Sequence, residues 1–141
     1  MNEIVFPPLL TVRIWDDPFV DRVGFPVRDP YLELVWLPVV GPSVAWATRC
    51  LGAWATAAGS DGVEVPLVEL AEALGLSRNS LSRNAPLQRT LARMVRFGLA
   101  EWPDSILRVR AVVPPVAQRH LARLSPRVRE AHDRLVARRS V

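Results

Sequence analysis

Apolar and polar positions follow helical spacing in two neighbouring segments of the chain, between residues 66 and 98. In the first segment the apolar side chains recur every three or four residues, which places them on one face of a short helix. Pro66 suits the first turn of this helix, and Gly75 can adopt the positive φ angle that ends it. The face consists of Leu67, Leu70, Ala71 and Leu74. Leu76 can then fold back onto the core.

The second segment predicts a longer amphipathic helix, which starts near residue 84, has Pro86 in its first turn and extends to Phe97, where Gly98 ends it. Its two sides differ in character. Leu87, Leu91, Met94 and Val95 share the apolar side, whereas Arg89, Arg93 and Arg96 share the other. The helix is therefore expected to pack on the core through one side and to present a row of guanidinium groups on the other.

This succession of a helix, a tight turn, a second helix and a strand resembles the winged helix-turn-helix superfamily. Two stretches carry the resemblance, LAEALGLS at residues 70–77 and RFGLA at residues 96–100. The resemblance implies a mostly α fold with a small β-hairpin wing, in which the second helix of the motif, here residues 86–97, enters the major groove of DNA. One departure is the interval from Ser77 to Gly98, which exceeds the usual motif by about two helical turns.

The additional residues of this interval are polar and basic. Pro86 disfavours one unbroken helix across it, because a proline inside a helix costs ~3 kcal/mol. The sequence instead predicts a loop or a single extra turn before the second helix. Its side chains suit phosphate contacts, although an ordinary polar linker would have the same composition. The residues concerned are Arg78, Asn79, Ser80, Arg83 and Asn84.

The predicted wing follows the second helix. Its parts are residues 100–102 and 106–113, joined by a turn at residues 103–105, and residues 63–65 form a first strand. The resemblance implies that this first strand pairs with the wing and that a basic residue at the wing tip reaches the minor groove. Here the tip carries Asp104, which repels phosphate. Contacts between the wing and DNA must then come from Arg108 or Arg110, which alternation places on the same side of the last strand.

Residues 1–42 hold seven of the thirteen prolines, which excludes long helices there. We expect a proline-rich N-terminal arm that packs on the core or on a partner subunit. Residues 10–15 alternate and predict a strand, and the chain up to Asp29 is expected to be irregular. Residues 31–37 also alternate, but Asp29 and Pro30 would cap and start a helix, and we favour the helix.

Residues 43–58 predict a helix with so little polar surface that it should be the central buried one. Its Trp46 and Trp54 are expected to lie against the apolar faces of both motif helices. Cys50 lies in the middle of this helix among apolar neighbours, so we expect a buried hydrophobic residue and not a reactive thiolate. A single cysteine also excludes an internal disulfide and a cysteine-cluster metal site.

Residues 114–141 are expected to be helical, with one helix over residues 116–124 and a second from Ser125 to about Arg138. A narrow apolar stripe on the last helix fits packing on a neighbouring helix, either within the chain or across a dimer. Its dimerisation candidates are Val128, Ala131 and Leu135. With the arm at 1–42 and a winged core at 43–113, these helices are expected to form one compact domain.

Charge is distributed unevenly along the chain. Residues 1–75 carry four Arg and ten acidic residues, a net charge of −6, whereas residues 76–141 carry fourteen Arg and four acidic residues, a net charge of +10. One strongly basic half is typical of a protein that binds a polyanion. All eighteen basic residues are Arg, whose planar fork can bind a phosphate or a guanine edge in a bidentate manner.

Catalytic and cofactor-binding patterns are missing from the sequence. His120 and His132 are the only histidines, and there is no Gly-rich phosphate loop or nucleophile elbow. We therefore expect neither an enzyme nor a bound metal or cofactor. No apolar run approaches the ~20 residues of a membrane span, and the first residues lack signal-peptide features. The expected location is cytoplasmic, or nucleoid-associated if the protein is bacterial, with no membrane partner.

Two functions from different classes fit these patterns. The first is a transcriptional regulator, expected to be a homodimer, that binds double-stranded DNA. In it Gln88, Arg89 and Arg93 would contact bases, and Arg78, Arg83, Arg96, Arg108 and Arg110 would hold phosphates. The second is a winged-helix adaptor that joins a larger nucleic-acid complex and docks a protein partner through its acidic N-terminal half.

Overall fold

The structure, a computed structural model, describes residues 4–79 and 81–139. About 54% of it is helical and a small mixed sheet accompanies the helices, so the expected mostly α fold is confirmed. In chain order the elements are β1 (Leu9–Ile14), α1 (Pro18–Val23), β2 (Phe25–Pro26), a π-helical turn (Leu32–Trp36) that continues into α2 (Leu37–Val40), α3 (Pro42–Ala58), β3 (Val63–Pro66), α4 (Leu67–Ala73), α5 (Pro86–Arg96), β4 (Ala100–Glu101), a 3-10 turn (Pro103–Ser105), β5 (Leu107–Val109), β6 (Val112–Val113), α6 (Gln118–Leu121) and α7 (Pro126–Arg139).

The main sheet has four strands in the order β3-β1-β5-β4. β1 is antiparallel to β3 and parallel to β5, and β4 is antiparallel to β5. The strand predicted at residues 10–15 is confirmed. The expected pairing of β3 with the wing is wrong, because β1 lies between β3 and β5. Leu10 and Val12 account for this central position, since both side chains are fully buried under the helices.

The last predicted strand, over residues 106–113, is divided in the structure. β5 belongs to the main sheet, whereas β6 pairs with β2 in a second, two-stranded sheet. Between them the chain bends and turns the side chain of Arg110 inwards. Helix α3 approaches this bend closely, since a Cβ atom on Gly52 would lie 2.8 Å from the carbonyl oxygen of Arg110.

Arg110 joins this bend to the N-terminal part of the chain. Its Nη1 donates to Oδ2 of Asp17 at 2.9 Å, and its Nε donates to the carbonyl oxygen of Gly98 at 2.7 Å. The guanidinium carbon also lies 3.7 Å from the ring centroid of Trp15. The hydrogen bond with Arg110 holds the pKa of the Asp17 carboxyl below its usual value. The Arg110 side chain is 8% exposed and the Asp17 side chain is 25% exposed, so the ion pair has a buried cation and a partly buried carboxylate.

The chain up to Asp29 was predicted to be irregular, but the structure has helix α1 there. Oδ1 of Asp17 accepts a hydrogen bond from the backbone N–H of Val20 at 3.3 Å, and Pro18 occupies the first turn. An acidic N-cap followed by proline is a helix-start signal that the sequence did contain. The helix was missed because it is only six residues long and buries a single residue, Val20, which is too little for a periodic pattern.

The helices predicted from Pro66 and from near residue 84 are both confirmed. α4 is followed by Gly75 with a φ angle of 68°, and the N–H of Leu76 donates to the carbonyl oxygen of Ala71 at 2.8 Å, which folds Leu76 towards the core. α5 begins at Pro86, ends at Arg96 and is followed by Gly98 with a φ angle of 72°. The described part of the interval between them forms turns and bends without a helix.

The helix favoured for residues 31–37 is also confirmed, as the π-helical turn and the start of α2. Oδ2 of Asp29 accepts from the N–H of Tyr31 at 2.9 Å, as expected for a residue near the helix start.

The boundaries of α3 agree with the prediction, but the predicted burial of its tryptophans is wrong. Trp46 is 53% exposed and Trp54 is only partly buried, because small residues, among them Ala47 and Gly52, form the face that packs inwards.

The dimerisation stripe on α7 is covered within the chain. Ala131 and Leu135 are buried and Val128 packs against the same core, because α7 lies on the π-helical turn. The proposed dimer contact through these residues is therefore corrected to an intramolecular one.

α6 covers only four of the residues predicted as a helix over 116–124. Buried side chains from the arm, the central segment and the C-terminal helices belong to one hydrophobic core.

Tyr31 connects the arm to the C-terminal segment. Its ring stacks on Phe25 with centroids 3.9 Å apart, and its hydroxyl accepts from the backbone N–H of Val116 at 2.8 Å. The same hydroxyl lies 2.8 Å from Nδ1 of His132 on α7. Burial raises the pKa of Tyr31 to about 12, and the hydrogen bond from Val116 opposes this rise only in part.

We expect an absorbance titration to show Tyr31, the only tyrosine of the chain, ionising at about pH 12 in the folded protein. In denaturant its pKa should return to the ordinary value of 10.0. Because the folded-state pKa is the higher one, this contribution to stability is complete below the unfolded pKa and is lost as pH rises through the folded pKa. Ionisation at the ordinary pH in a protein that circular dichroism shows to be folded would contradict the buried position of Tyr31.

Candidate nucleic-acid interface

The open side of α5 carries two exposed arginines, Arg89 and Arg96. They lie two helical turns apart, so they project from the same side. The opposite side holds the helix in place, because Leu87, Leu91 and Met94 are fully buried. No hydrogen bond or ion pair of either guanidinium occurs among residues 4–79 and 81–139. Both charges are thus presented to solvent on a rigid element.

A groove of about 640 Å³ lies along this side of α5. Arg83 and Asn84 line it just before the N-terminal end of the helix, and Arg89 and Arg96 line it along the helix. Ile4, Ala92 and Val95 supply the apolar part of its lining. Gln88 and Arg93 line it as well, so six of the predicted DNA-contacting residues are brought together, and four of them are arginines.

Gln88 does not fit its predicted role in base recognition. Its side chain is 2% exposed. Oε1 accepts from the backbone N–H of Phe6 at 2.8 Å, and Nε2 donates to the carbonyl oxygen of Phe6 at 2.9 Å. The amide thus replaces a β-strand partner for one residue of the N-terminal segment, and that segment runs beside α5. Sequence pattern alone placed Gln88 next to Arg89 but could not show which side of the helix this segment covers.

Arg93 is also held by the protein. Its Nε donates to the carbonyl oxygen of Val40 at 2.9 Å and its Nη2 to that of Val39 at 3.3 Å, at the C-terminal end of α2. The guanidinium carbon lies 5.0 Å from the ring centroid of Phe97. This corrects the predicted base contact, because a cation that satisfies the last carbonyls of a helix would have to leave them to reach DNA.

Neither of the two arginines predicted for the wing lines the groove along α5. Arg110 is buried against Asp17, so its predicted phosphate contact is corrected to a structural ion pair. Arg108 lies between the inward-facing Leu107 and Val109 and therefore points away from the helices. Its Nη1 is 3.4 Å from Oε1 of Glu101 across the strand pair. The wing tip offers the exposed Asp104, with a φ angle of 53°, and no basic residue.

The start of the interval between the motif helices is exposed. Arg78 pairs with Glu72 of α4 at 3.1 Å, and its side chain is 72% exposed. The backbone N–H of Asn79 donates to Oγ of Ser77 at 3.3 Å. Ser80 lies outside the described residues. Arg78 and Asn79 thus remain available to a partner, but neither lines the groove along α5.

Other kinds of site were sought in the described part of the chain. Within it, no group of three or more His, Cys, Asp or Glu side chains could hold a metal ion, and no helix has the length and apolar character to cross a bilayer. The acidic side chains of the N-terminal half are less available to a partner than the net charge of this half indicates. Asp17, Asp29 and Glu33 each pair with an arginine of this chain.

Sequence reasoning missed the role of the N-terminal segment at the groove. Ile4 lines it, and Phe6 packs edge-on against Trp102 with ring centroids 4.8 Å apart. The apolar run before Pro7 and Pro8 was the available signal, but it did not identify α5 as the surface it covers.

Comparison of the chain with protein-family models, curated proteins and solved structures found no match.

Proposed function

We propose that this chain binds double-stranded DNA through the open side of α5 and the residues just before it. The observation that carries the proposal is the groove in which the exposed Arg89 and Arg96 continue from Arg83 and Asn84. Three cations and an amide, on α5 and in the residues just before it, form a surface that suits a row of phosphates and base edges.

The dimensions of α5 support this proposal. Its eleven residues span about 16 Å, and the major groove of B-DNA is about 12 Å wide and admits an α-helix. The core behind it is rigid, because α5 packs on α3 and β4. Electrostatics act in the same direction, since residues 76–141 carry a net charge of +10.

We further propose that the central part is a variant of the winged helix-turn-helix. The succession α3, β3, α4, α5, β4 and β5 supports this, as do Gly75 and Gly98 at the ends of the motif helices. The variation lies in β1, which occupies the sheet position beside β5. In this arrangement Arg78, Asn79, Arg83 and Asn84 approach phosphates. Regulation of transcription is the proposed role if binding depends on DNA sequence.

Fluorescence anisotropy with a labelled duplex tests DNA binding. We expect binding that weakens as salt increases, because phosphate contacts release counterions. The double substitution Arg89→Ala, Arg96→Ala should lower the affinity at least about tenfold, since each good contact to a base contributes ~1–3 kcal/mol. Arg83→Ala should weaken binding to all sequences alike and reduce the salt slope by about one.

The control is the double substitution Arg123→Ala, Arg127→Ala, which removes the same charge from exposed positions beside and on the C-terminal helix. It should leave the affinity close to that of the unmodified protein. An equal loss in both double variants would mean that only net charge matters. An unchanged affinity of the Arg89, Arg96 variant, with the protein folded, would refute the proposed interface.

A protein-interaction adaptor is the second candidate, and one observation favours it. Trp46 is 53% exposed and lines a groove of about 690 Å³ with Cys50, Ala53 and Leu74. The guanidinium of Arg49 lies 5.2 Å from the ring centroid of Trp46. Exposed Trp and Arg side chains are enriched where proteins bind one another. This function takes precedence if the folded chain binds no duplex DNA even at low salt.

A further inference from the structure

We infer that Arg89 and Arg96 recognise two guanines, in G·C pairs that lie two or three base-pair steps apart. This inference rests on the proposed function and specifies which DNA the same surface selects. It follows from which side chains of α5 the fold leaves open and from the distance between them.

The fold leaves four residues of α5 available for contacts with bases. Gln88 is hydrogen-bonded to the backbone of Phe6, and Arg93 is hydrogen-bonded to the end of α2. Among the described residues that line the groove along the helix, Arg89, Ala92, Val95 and Arg96 remain, and Arg89, Ala92 and Arg96 are at positions i, i+3 and i+7. These are the spacings that place side chains above one another on one helical face.

The separation of the two arginines sets the separation of their targets. Seven residues of an α-helix span about 10.5 Å along its axis. Successive base pairs of B-DNA are about 3.4 Å apart, so three steps cover nearly the same distance. A tilt of α5 relative to the groove shortens the projection, which gives two or three steps.

The chemistry of the two side chains selects the base. A guanidinium fork donates two parallel hydrogen bonds, and guanine is the base that presents two acceptors, O6 and N7, in the major groove. Ala92 lies between the arginines and has only a methyl group to offer, which suits the methyl group of a thymine. Its small size also lets the helix backbone approach the bases.

Selection from a random duplex library with the full chain tests the inference. The enriched sequences should share two G·C pairs at the stated spacing. Arg89→Ala should remove the preference at one of them and Arg96→Ala at the other. On the selected duplex each alanine variant should bind about 5- to 150-fold more weakly than the unmodified protein. On a duplex in which the corresponding guanine is replaced by adenine, the variant and the unmodified protein should bind with equal affinity.

The variant Arg89→Lys separates base recognition from phosphate binding. It keeps the charge but replaces the planar fork with an ammonium group, which holds O6 and N7 of guanine less rigidly, so the guanine preference should weaken while most of the affinity for random DNA persists. Arg127→Ala, also exposed, serves as the control and should select the same sequences.

The outcomes separate this inference from the proposed function. DNA binding without a preference for paired guanines, or with a preference that neither alanine variant alters, overturns the inference and leaves the interface standing. An equal loss of affinity for random DNA and for the selected duplex in Arg89→Lys also overturns it, because Arg89 would then bind phosphate and not guanine. If the folded chain binds no DNA at all, the proposed function fails, and the inference fails with it.

Discussion

The substitution Arg110→Ala is expected to lower the free energy of unfolding by about 3 kcal/mol, which for a chain of this length is a fall in melting temperature of about 10 °C. The guanidinium is almost fully buried and binds the Asp17 carboxylate, the Gly98 carbonyl oxygen and the face of Trp15. Its removal leaves a partly buried carboxylate and a carbonyl group without their donor, and it opens the bend between β5 and β6. Thermal unfolding followed by circular dichroism measures the effect.

Arg108→Ala is the matched control, since Arg108 lies two residues earlier, on β5. Its ion pair with Glu101 is half-exposed, so the loss should be at most about 1 kcal/mol. Similar losses in the two variants would contradict the buried ion pair.

The pH dependence of stability is a second test of the contact between Arg110 and Asp17. The hydrogen bond to Arg110 lowers the folded-state pKa of Asp17, so its contribution to stability is complete above the ordinary value of 3.8 and is lost as pH falls through the folded-state pKa. In Arg110→Ala this part of the acid destabilisation should be absent.

The second large effect is expected for Gln88→Leu, with a loss of about 2–4 kcal/mol. Leucine fills a similar volume but leaves the N–H and the carbonyl oxygen of Phe6 without the partners that lie 2.8 and 2.9 Å away. Thr90→Val on the same helix is the control. Its hydroxyl donates only to Oγ of Ser43, at 3.2 Å, in a partly buried position where water can replace it. A loss in Gln88→Leu no larger than in this control would refute the role of Gln88 as an anchor of the N-terminal segment.

The stability of the Gln88→Glu variant should change with pH in the direction opposite to the contribution of Asp17. A carboxylate can accept from the Phe6 N–H but repels the Phe6 carbonyl oxygen, whereas the protonated form can donate to it. Burial and this repulsion raise the folded-state pKa of the introduced group. Relative to the unmodified protein, the variant should therefore be most stable below the unfolded pKa of about 4.3 and lose stability as pH rises through the folded-state pKa of the introduced group.

Local pattern was sufficient for the elements whose hydrophobic period is long and uninterrupted. The boundaries of α3, α4 and α5 and the position of β1 follow from apolar spacing together with Pro66, Gly75, Pro86 and Gly98. These positions restrict the backbone directly, so their effect does not depend on the rest of the fold. The mostly α composition follows from the same signals.

The missed features depend on contacts between residues distant in sequence. Gln88 and Arg93 fall on the polar side of the α5 pattern, yet Phe6 and Val40 use them as hydrogen-bond partners. Strand alternation places Arg110 on the same side as Arg108, yet the chain turns Arg110 inwards to Asp17. Periodicity shows which residues are polar but cannot show whether another segment covers them. The groove along α5 could therefore be predicted as a basic surface, while its list of available side chains could not.

The central position of β1 has a consequence for how the chain acquires its fold. Val12 pairs with Val63 on one side and with Leu107 on the other, so the middle of the sheet is completed only when residues from the first and last thirds of the chain meet. Contacts of such long sequence separation slow folding, because the entropy of closing a large loop must be overcome first. During synthesis β3, α4 and α5 emerge before β5, and the arm has no second partner strand at that time. The surface on α5 that Phe6 borders should therefore reach its final shape late, after β5 has left the ribosome.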